Sequence, residues 1–313
     1  MRLLKRARCL AGVLAALAPA AARAHLPPGY ETRWTLDPWI VAPLLAAAAL
    51  YALGAAELGR RSRRAAALHR RRIACFCAGW AVLAGALVSP LHAAGERSFA
   101  AHMLEHELLM LAAAPLLVLG RPLGFFAWGL PRPLRRLAGR VERSGPFAAA
   151  WRFLVHPVPA TILQAVALWA WHAPGPFDLA LREPGWHVVQ HLSFLASALL
   201  FWSAVLDAHR TAARPALAAG CLFATTTIGG ALGALMAFSW SPWYPAYAAL
   251  GLTPLGLTPV EDQQLAGLLM WIPGGLVHMG AALAILGRVL REERPDRTAP
   301  PMRVAPHGPP PRA

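Results

Sequence analysis

The chain has 313 residues, 57% hydrophobic and only 14% charged, whereas charged residues make up about a quarter of an ordinary soluble domain. That balance excludes a water-soluble globular domain and points to the bilayer as solvent. The net charge of +15 would suit nucleic acid on a soluble surface, but the arginines cluster between apolar segments, so they read as a topology signal and no nucleic-acid partner is expected.

Met1-Arg2-Leu3-Leu4-Lys5-Arg6-Ala7-Arg8 is a basic opening, followed by an apolar stretch from Cys9 to about Ala18 and an A-x-A pattern at Ala22-Arg23-Ala24. This is the pattern of a cleavable signal peptide over 1–24. Cleavage after Ala24 would make His25 the mature N-terminus, where a free amine and an imidazole together can chelate a cupric ion. The plainer reading is a flexible extracytoplasmic lead over 25–37.

Apolar segments of about 20 residues, the length the hydrocarbon core requires, recur near 38–58, 73–91, 101–119, 157–173, 187–206, 215–238 and 264–287. The expectation is an all-α polytopic membrane protein, a bundle of seven transmembrane helices over 38–290. A proline-rich tail, 291–313, cannot bury enough surface to order itself. The connections 59–72 and 120–156, the stretch 207–214 and the C-terminal stretch from Arg288 together carry 22 arginines, against Arg33, Arg97 and Arg182 on the other side. The positive-inside rule then places the mature N-terminus outside and the C-terminus in the cytoplasm.

Within 120–156, Pro131-Arg132-Pro133-Leu134-Arg135-Arg136 and Gly139-Arg140-Val141-Glu142-Arg143 read either as an interfacial amphipathic segment gripping anionic lipid or as a solvated loop with topogenic charge. Cys75, Cys77 and Cys221 sit in apolar segments and read as packing residues, since thiols two apart on a helix point to nearly opposite sides.

The third span opens with Ala101-His102-Met103-Leu104-Glu105-His106, and the fifth with Trp186-His187-Val188-Val189-Gln190-His191. Each histidine pair is four apart, so its imidazoles share one helical face. Both helices enter from outside, and the second and fourth spans leave outward at His92 and His172, so six of the twelve histidines collect at the outer rim. Polar groups in a membrane normally face a partner or a cavity, and imidazole suits copper, zinc and haem iron. The competing reading is that rim histidines simply hydrogen-bond neighbouring helices.

Glu105, Glu107, Gln190 and Asp262 are available as acceptors behind such ligands, and Met103 adds a thioether, a soft ligand for Cu(I). The seventh span begins Pro259-Val260-Glu261-Asp262-Gln263-Gln264, where Asp262 suits an N-cap. The same span carries Pro273-Gly274-Gly275, the one visible interruption, and the deeper His278, expected to make an interhelical hydrogen bond. Gly229-x-x-x-Gly233 in the sixth span suits close helix packing.

Ser98-Phe99-Ala100-Ala101-His102-Met103-Leu104-Glu105-His106 with Ala114-Pro115 and Gly120-Arg121-Pro122, His187 to His191 ahead of Phe201-Trp202, and Asp262-Gln263-Gln264-Leu265-Ala266-Gly267 with Met270-Trp271 resemble the CtaG family of multi-span assembly factors for haem-copper, caa-type cytochrome c oxidase. The resemblance spans the third to seventh helices in order, with Ala266-Gly267 standing where the pattern has paired glycines. It implies a non-enzymatic protein of the bacterial inner membrane whose partners are oxidase subunits or other assembly factors.

Taken with the depth argument, the expected metal ligands are His102, His106, His187 and His191, with His92, His172 and Met103 as auxiliaries and Glu105, Asp262 and Gln263 in support. The expected metal is copper. The rival readings are a haem-binding membrane protein or oxidoreductase with axial histidines, a metal transporter using the Pro273 interruption, and a zinc metalloenzyme with Glu105 or Glu107 as base. They differ in what they require of the outer ends of the third and fifth helices, which a compact ion site must bring together.

Overall fold

The computed structural model describes residues 34–61, 66–206 and 214–292, and among them it is helical with no strand. The signal-peptide reading, the His25 site and nearly all of the tail lie outside the described residues. α1 (Pro38–Arg61) and α2 (Ala66–Val88) are the first two spans, and a short α3 (Pro90–Gly95) turns the chain, with Ser89 Oγ accepting from the Leu91 N–H at 3.3 Å. The third span, Phe99–Leu119, is composite: α4 (Phe99–Glu107), a π-helical turn (Leu108–Ala113) and α5 (Ala114–Leu119).

The π turn has a local cause. Pro115 has no N–H to give the carbonyl four residues back, and Trp202 Nε1 donates to the Met110 carbonyl at 2.9 Å, so the regular ladder is relaxed where an outside donor replaces it.

The long connection holds three helices, α6 (Pro122–Gly129), α7 (Arg132–Glu142) and α8 (Gly145–Leu154), and the stretch read as an amphipathic segment or a solvated loop is the amphipathic helix α7. α6 folds back against α1, while α7 buries none of its residues. Arg61 and Arg135 both sit over the Trp128 ring, 4.8 and 4.6 Å from its centroid.

α9 (Pro157–His172) has 16 residues, about 24 Å of helix, which is short of a hydrocarbon core of roughly 30 Å. Among the described residues six helical segments are long and apolar enough to cross a membrane, or seven if α8 and α9, bent by 68°, count as one span. α10 (Pro174–Arg182), α11 (Pro184–Leu206), α12 (Arg214–Ala237), α13 (Pro245–Ala248) and α14 (Pro259–Glu292) complete the chain. The protein is a multi-pass membrane protein with an all-α fold.

Two packed clusters hold the bundle. The larger joins α4, α9, α11, α12 and α14 through Phe194, Phe201, Trp202, Leu222 and Met270. The smaller joins α1, α2, the π turn and α6, where Tyr51 stacks on Phe76 and Phe125 at 3.6 and 4.4 Å and its hydroxyl donates to the Gly120 carbonyl at 2.9 Å. Between α12 and α14 the backbones nearly touch: a Cβ on Gly233 would stand 2.7 Å from the Gly267 carbonyl oxygen. Gly233, rather than Gly229, makes the close approach.

α14 runs unbroken through Pro273, so the interruption read at Pro273-Gly274-Gly275 is not an unwound segment. Asp262 is likewise not the cap of its own helix. Thr258 and Glu261 form that cap reciprocally, Glu261 Oε2 accepting from the Thr258 N–H at 2.8 Å and Thr258 Oγ1 from the Glu261 N–H at 3.3 Å. His278 stacks on Trp202, centroids 5.6 Å apart and 15° from parallel, and makes no interhelical hydrogen bond among the described residues.

Candidate metal centre

Four elements meet at one end of the bundle. α3 brings His92, α4 brings His102, Glu105 and His106, α11 brings His187, Gln190 and His191, and α9 ends there at His172. The i,i+4 spacing does what helical geometry requires: the rings of His102 and His106 are 4.3 Å apart and those of His187 and His191 4.4 Å.

The two pairs also meet each other. His102 faces His187 at 5.3 Å and 17° from parallel, and His106 meets His191 edge-on at 5.0 Å. His92 lies flat against His187 at 5.4 Å and 5.9 Å from His191. Five imidazoles thus form one cluster.

Glu105 stands inside that cluster. His92 Nδ1 donates to Glu105 Oε1 at 2.8 Å, and His191 Nε2 is 4.0 Å from Glu105 Oε2. Ligand atoms of His92, Glu105 and His191 lie within 4.8 Å of one another, so a small inward movement of the side chains would bring all three to about 2 Å from one ion. Burial opposes the charged form of His92, but the hydrogen bond and negative charge of Glu105 outweigh it, so this imidazole titrates above the ordinary histidine value.

The remaining polar atoms are buried and unpaired. His102 Nε2, both ring nitrogens of His106, His187 Nε2, His191 Nε2 and Glu105 Oε2 have no hydrogen-bond partner. His102 and His106 are each 1% exposed and Glu105 is fully buried. Buried nitrogen and oxygen atoms are normally satisfied, so these orphans set the cluster apart, although among the described residues only His92, Glu105 and His191 bring their ligand atoms within 4.8 Å of one another.

His172 and Met103 form an adjoining pair. A carbonyl only accepts, so His172 Nδ1 donates to the Leu168 oxygen at 2.6 Å, leaving the Nε2 lone pair facing Met103 Sδ at 3.3 Å. An imidazole nitrogen and a thioether at that separation can share a soft ion.

The frame around the cluster is built from longer-range contacts. Asp262 on α14 accepts from Ser98 Oγ at 2.8 Å and from the N–H groups of Phe99 and Ala100 at 2.6 and 3.3 Å, so it caps α4 rather than α14. A carboxylate there complements the positive end of the helix that carries His102 and His106. Gln263 Oε1 accepts from the Trp243 N–H at 2.6 Å and its Nε2 donates to the Ser241 carbonyl at 3.1 Å. Asp262 and Gln263 therefore hold the scaffold, and among the described residues neither hydrogen-bonds an imidazole.

Tyr247 Oη donates to the Gly95 carbonyl at 2.6 Å and Tyr244 Oη to the His172 carbonyl at 2.8 Å, strapping α13 across α3 and α9. Gly95 is needed as glycine, because a Cβ there would lie 3.3 Å from His102 Cα. Sequence reasoning named neither tyrosine, and both are marked only by their position in a connection between spans. It also passed over Gln164, the one amide in an otherwise apolar α9, which lies deeper with an unpartnered Oε1.

A family model described as cytochrome c oxidase caa3 assembly factor (Caa3_CtaG) matches residues 49–292, which takes in every helix that contributes to the cluster. No curated protein and no solved structure matches the chain.

Proposed function

Since the chain belongs to the family of caa3 cytochrome c oxidase assembly factors, we propose that it serves oxidase assembly by holding copper in the rim cluster and passing it to an oxidase subunit. The observation that carries this reading is the gathering of unpartnered nitrogens from His102, His106, His187 and His191 into one group of touching rings, with the buried Glu105 carboxylate beside His92 and His191. Imidazole with one carboxylate suits Cu(II), and the neighbouring Met103 and His172 offer Cu(I) a softer set, so both oxidation states find ligands within one site.

The pairs His102–His106, His102–His187 and His106–His191 stand 4.3 to 5.3 Å apart, closer than two rings axial to one haem iron, so the crowding favours a compact ion over haem. The role is binding and transfer rather than catalysis. The asymmetry of arginine between the two sides puts the cluster on the extracytoplasmic face of a bacterial inner membrane, with the C-terminus in the cytoplasm. Copper is then cargo, presented where a folding oxidase subunit exposes its own metal sites.

Equilibrium dialysis of the purified full-length protein against cupric ion tests this, with wild type beside His102→Ala/His106→Ala/His187→Ala/His191→Ala. Lower stoichiometry in the variant is the expected result, and equal stoichiometry in the two overturns the reading.

A further inference from the structure

Below the rim, α4, the π turn, α9, α12 and α14 enclose a separate cavity of about 40 Å³. Its wall includes Glu107, Met110, Gln164, Met270, Gly274 and His278. This is a different face of α4 from the one that carries His102 and His106. His278 stands about 24 Å along α14 from Asp262, which places the cavity in the body of the bundle.

Three groups there are buried and lack partners where a bilayer protein can least tolerate it. Glu107 Oε2, Gln164 Oε1 and His278 Nε2 have no hydrogen-bond partner, and Gln164 and His278 are 6% and 5% exposed. Ionisable side chains at membrane depth mark functional positions, because each carries a desolvation cost that only a partner or ligand offsets.

Gly274 faces the Glu107 carboxylate. A Cβ on Gly274 would lie 3.8 Å from Glu107 Oε2, so the carboxylate reaches across to α14 where the side chain is missing. Pro273-Gly274-Gly275 thus marks a notch in a continuous helix, the physical meaning of the interruption seen in the sequence.

We propose that this cavity is a second cation site, selective for one soft monovalent ion, with Glu107, His278, Met110 and Met270 as its ligands. Charge selects the valence: one carboxylate neutralises one positive charge, and an uncompensated charge is costly at this depth. The space beside Glu107 suits an ion, since about 40 Å³ holds only a few waters, while Thr226, Gly275 and His278 also border a wider pocket of about 430 Å³. Donor chemistry selects softness, because two thioethers and an imidazole favour Cu(I) over the hard alkali ions. The proposal goes beyond the rim cluster and stands on separate residues.

The test is anaerobic Cu(I) titration of the full-length protein in detergent, with bicinchoninate as competing chelator. Wild type is expected to bind copper at both sites. Glu107→Gln/His278→Ala loses the inner equivalent and keeps the outer, and that retained copper shows the variant is folded. Met110→Leu/Met270→Leu, a volume-conserving change, weakens the inner site without touching its charge.

The variant lacking the four rim histidines keeps the inner equivalent and shows sulfur neighbours in X-ray absorption. If that variant binds no copper, or binds it without sulfur, the inner site is overturned while the rim reading stands. If it matches wild type, the rim reading fails instead. Protein that binds no Cu(I) in any form overturns the inner site outright.

Discussion

At the rim five histidines crowd one another and two of them reach one glutamate, whereas in the body of the bundle one histidine and one glutamate share a cavity wall with methionines, an amide and glycine. The rim is supplied by i,i+4 pairs on two helices and by short elements that end there. The deeper cavity draws its wall from five elements, with Gly274 facing the Glu107 carboxylate. Ligand repetition builds the first region and a wall shared among helices builds the second, so substitutions should separate them.

The largest effect falls on the rim. Removing His102, His106, His187 and His191 together is expected to abolish rim copper, read by dialysis, while the inner equivalent remains.

Asp262→Ala comes next. It strips three hydrogen bonds and the charge from the start of α4, leaving buried donors unsatisfied, at about 3 kcal/mol of stability. Thermal unfolding in detergent measures that loss, and rim affinity should fall with it as His102 and His106 lose their support.

Glu105→Gln keeps the shape of the side chain and removes its charge. Rim copper affinity is expected to fall by about 10- to 100-fold, with little change in unfolding temperature. Competitive chelator titration gives the affinity, and an unchanged value would place Glu105 outside the ligand set.

Gly95→Ala is smaller, about 1 kcal/mol, because the added Cβ presses on His102 Cα and the neighbour must yield by a few tenths of an ångström. Gly274→Ala is the smallest in stability, since its Cβ would make only ordinary contact with Glu107. It should instead weaken the inner copper alone, a split that the Cu(I) titration resolves.

The spans and the rim were legible for a physical reason. Spanning length shows in hydropathy, and four-residue spacing fixes a helical face, so His102, His106, His187 and His191 could be put near the ends of two spans before any contact was known. Their contact across α4 and α11 was not legible, because nothing in either segment records which helix it packs against.

Asp262 shows the same limit. Beside Glu261 at a helix start it has the local mark of an N-cap, yet its partners are Ser98 and Phe99, more than 160 residues earlier. The π turn and the Gly274 notch also escaped, the first because it depends on the Trp202 indole, the second because a glycine in a helix does not state what fills its space. Gln164 went unread since one amide in an apolar helix has no periodic partner.

The most direct test of the rim cluster is the electron paramagnetic resonance spectrum of the full-length protein loaded with Cu(II). A bound cupric signal with imidazole nitrogen couplings, lost when His102, His106, His187 and His191 become alanine, is the predicted result. The same signal in both proteins, or no bound signal in wild type, would contradict the assignment of the rim as the copper site.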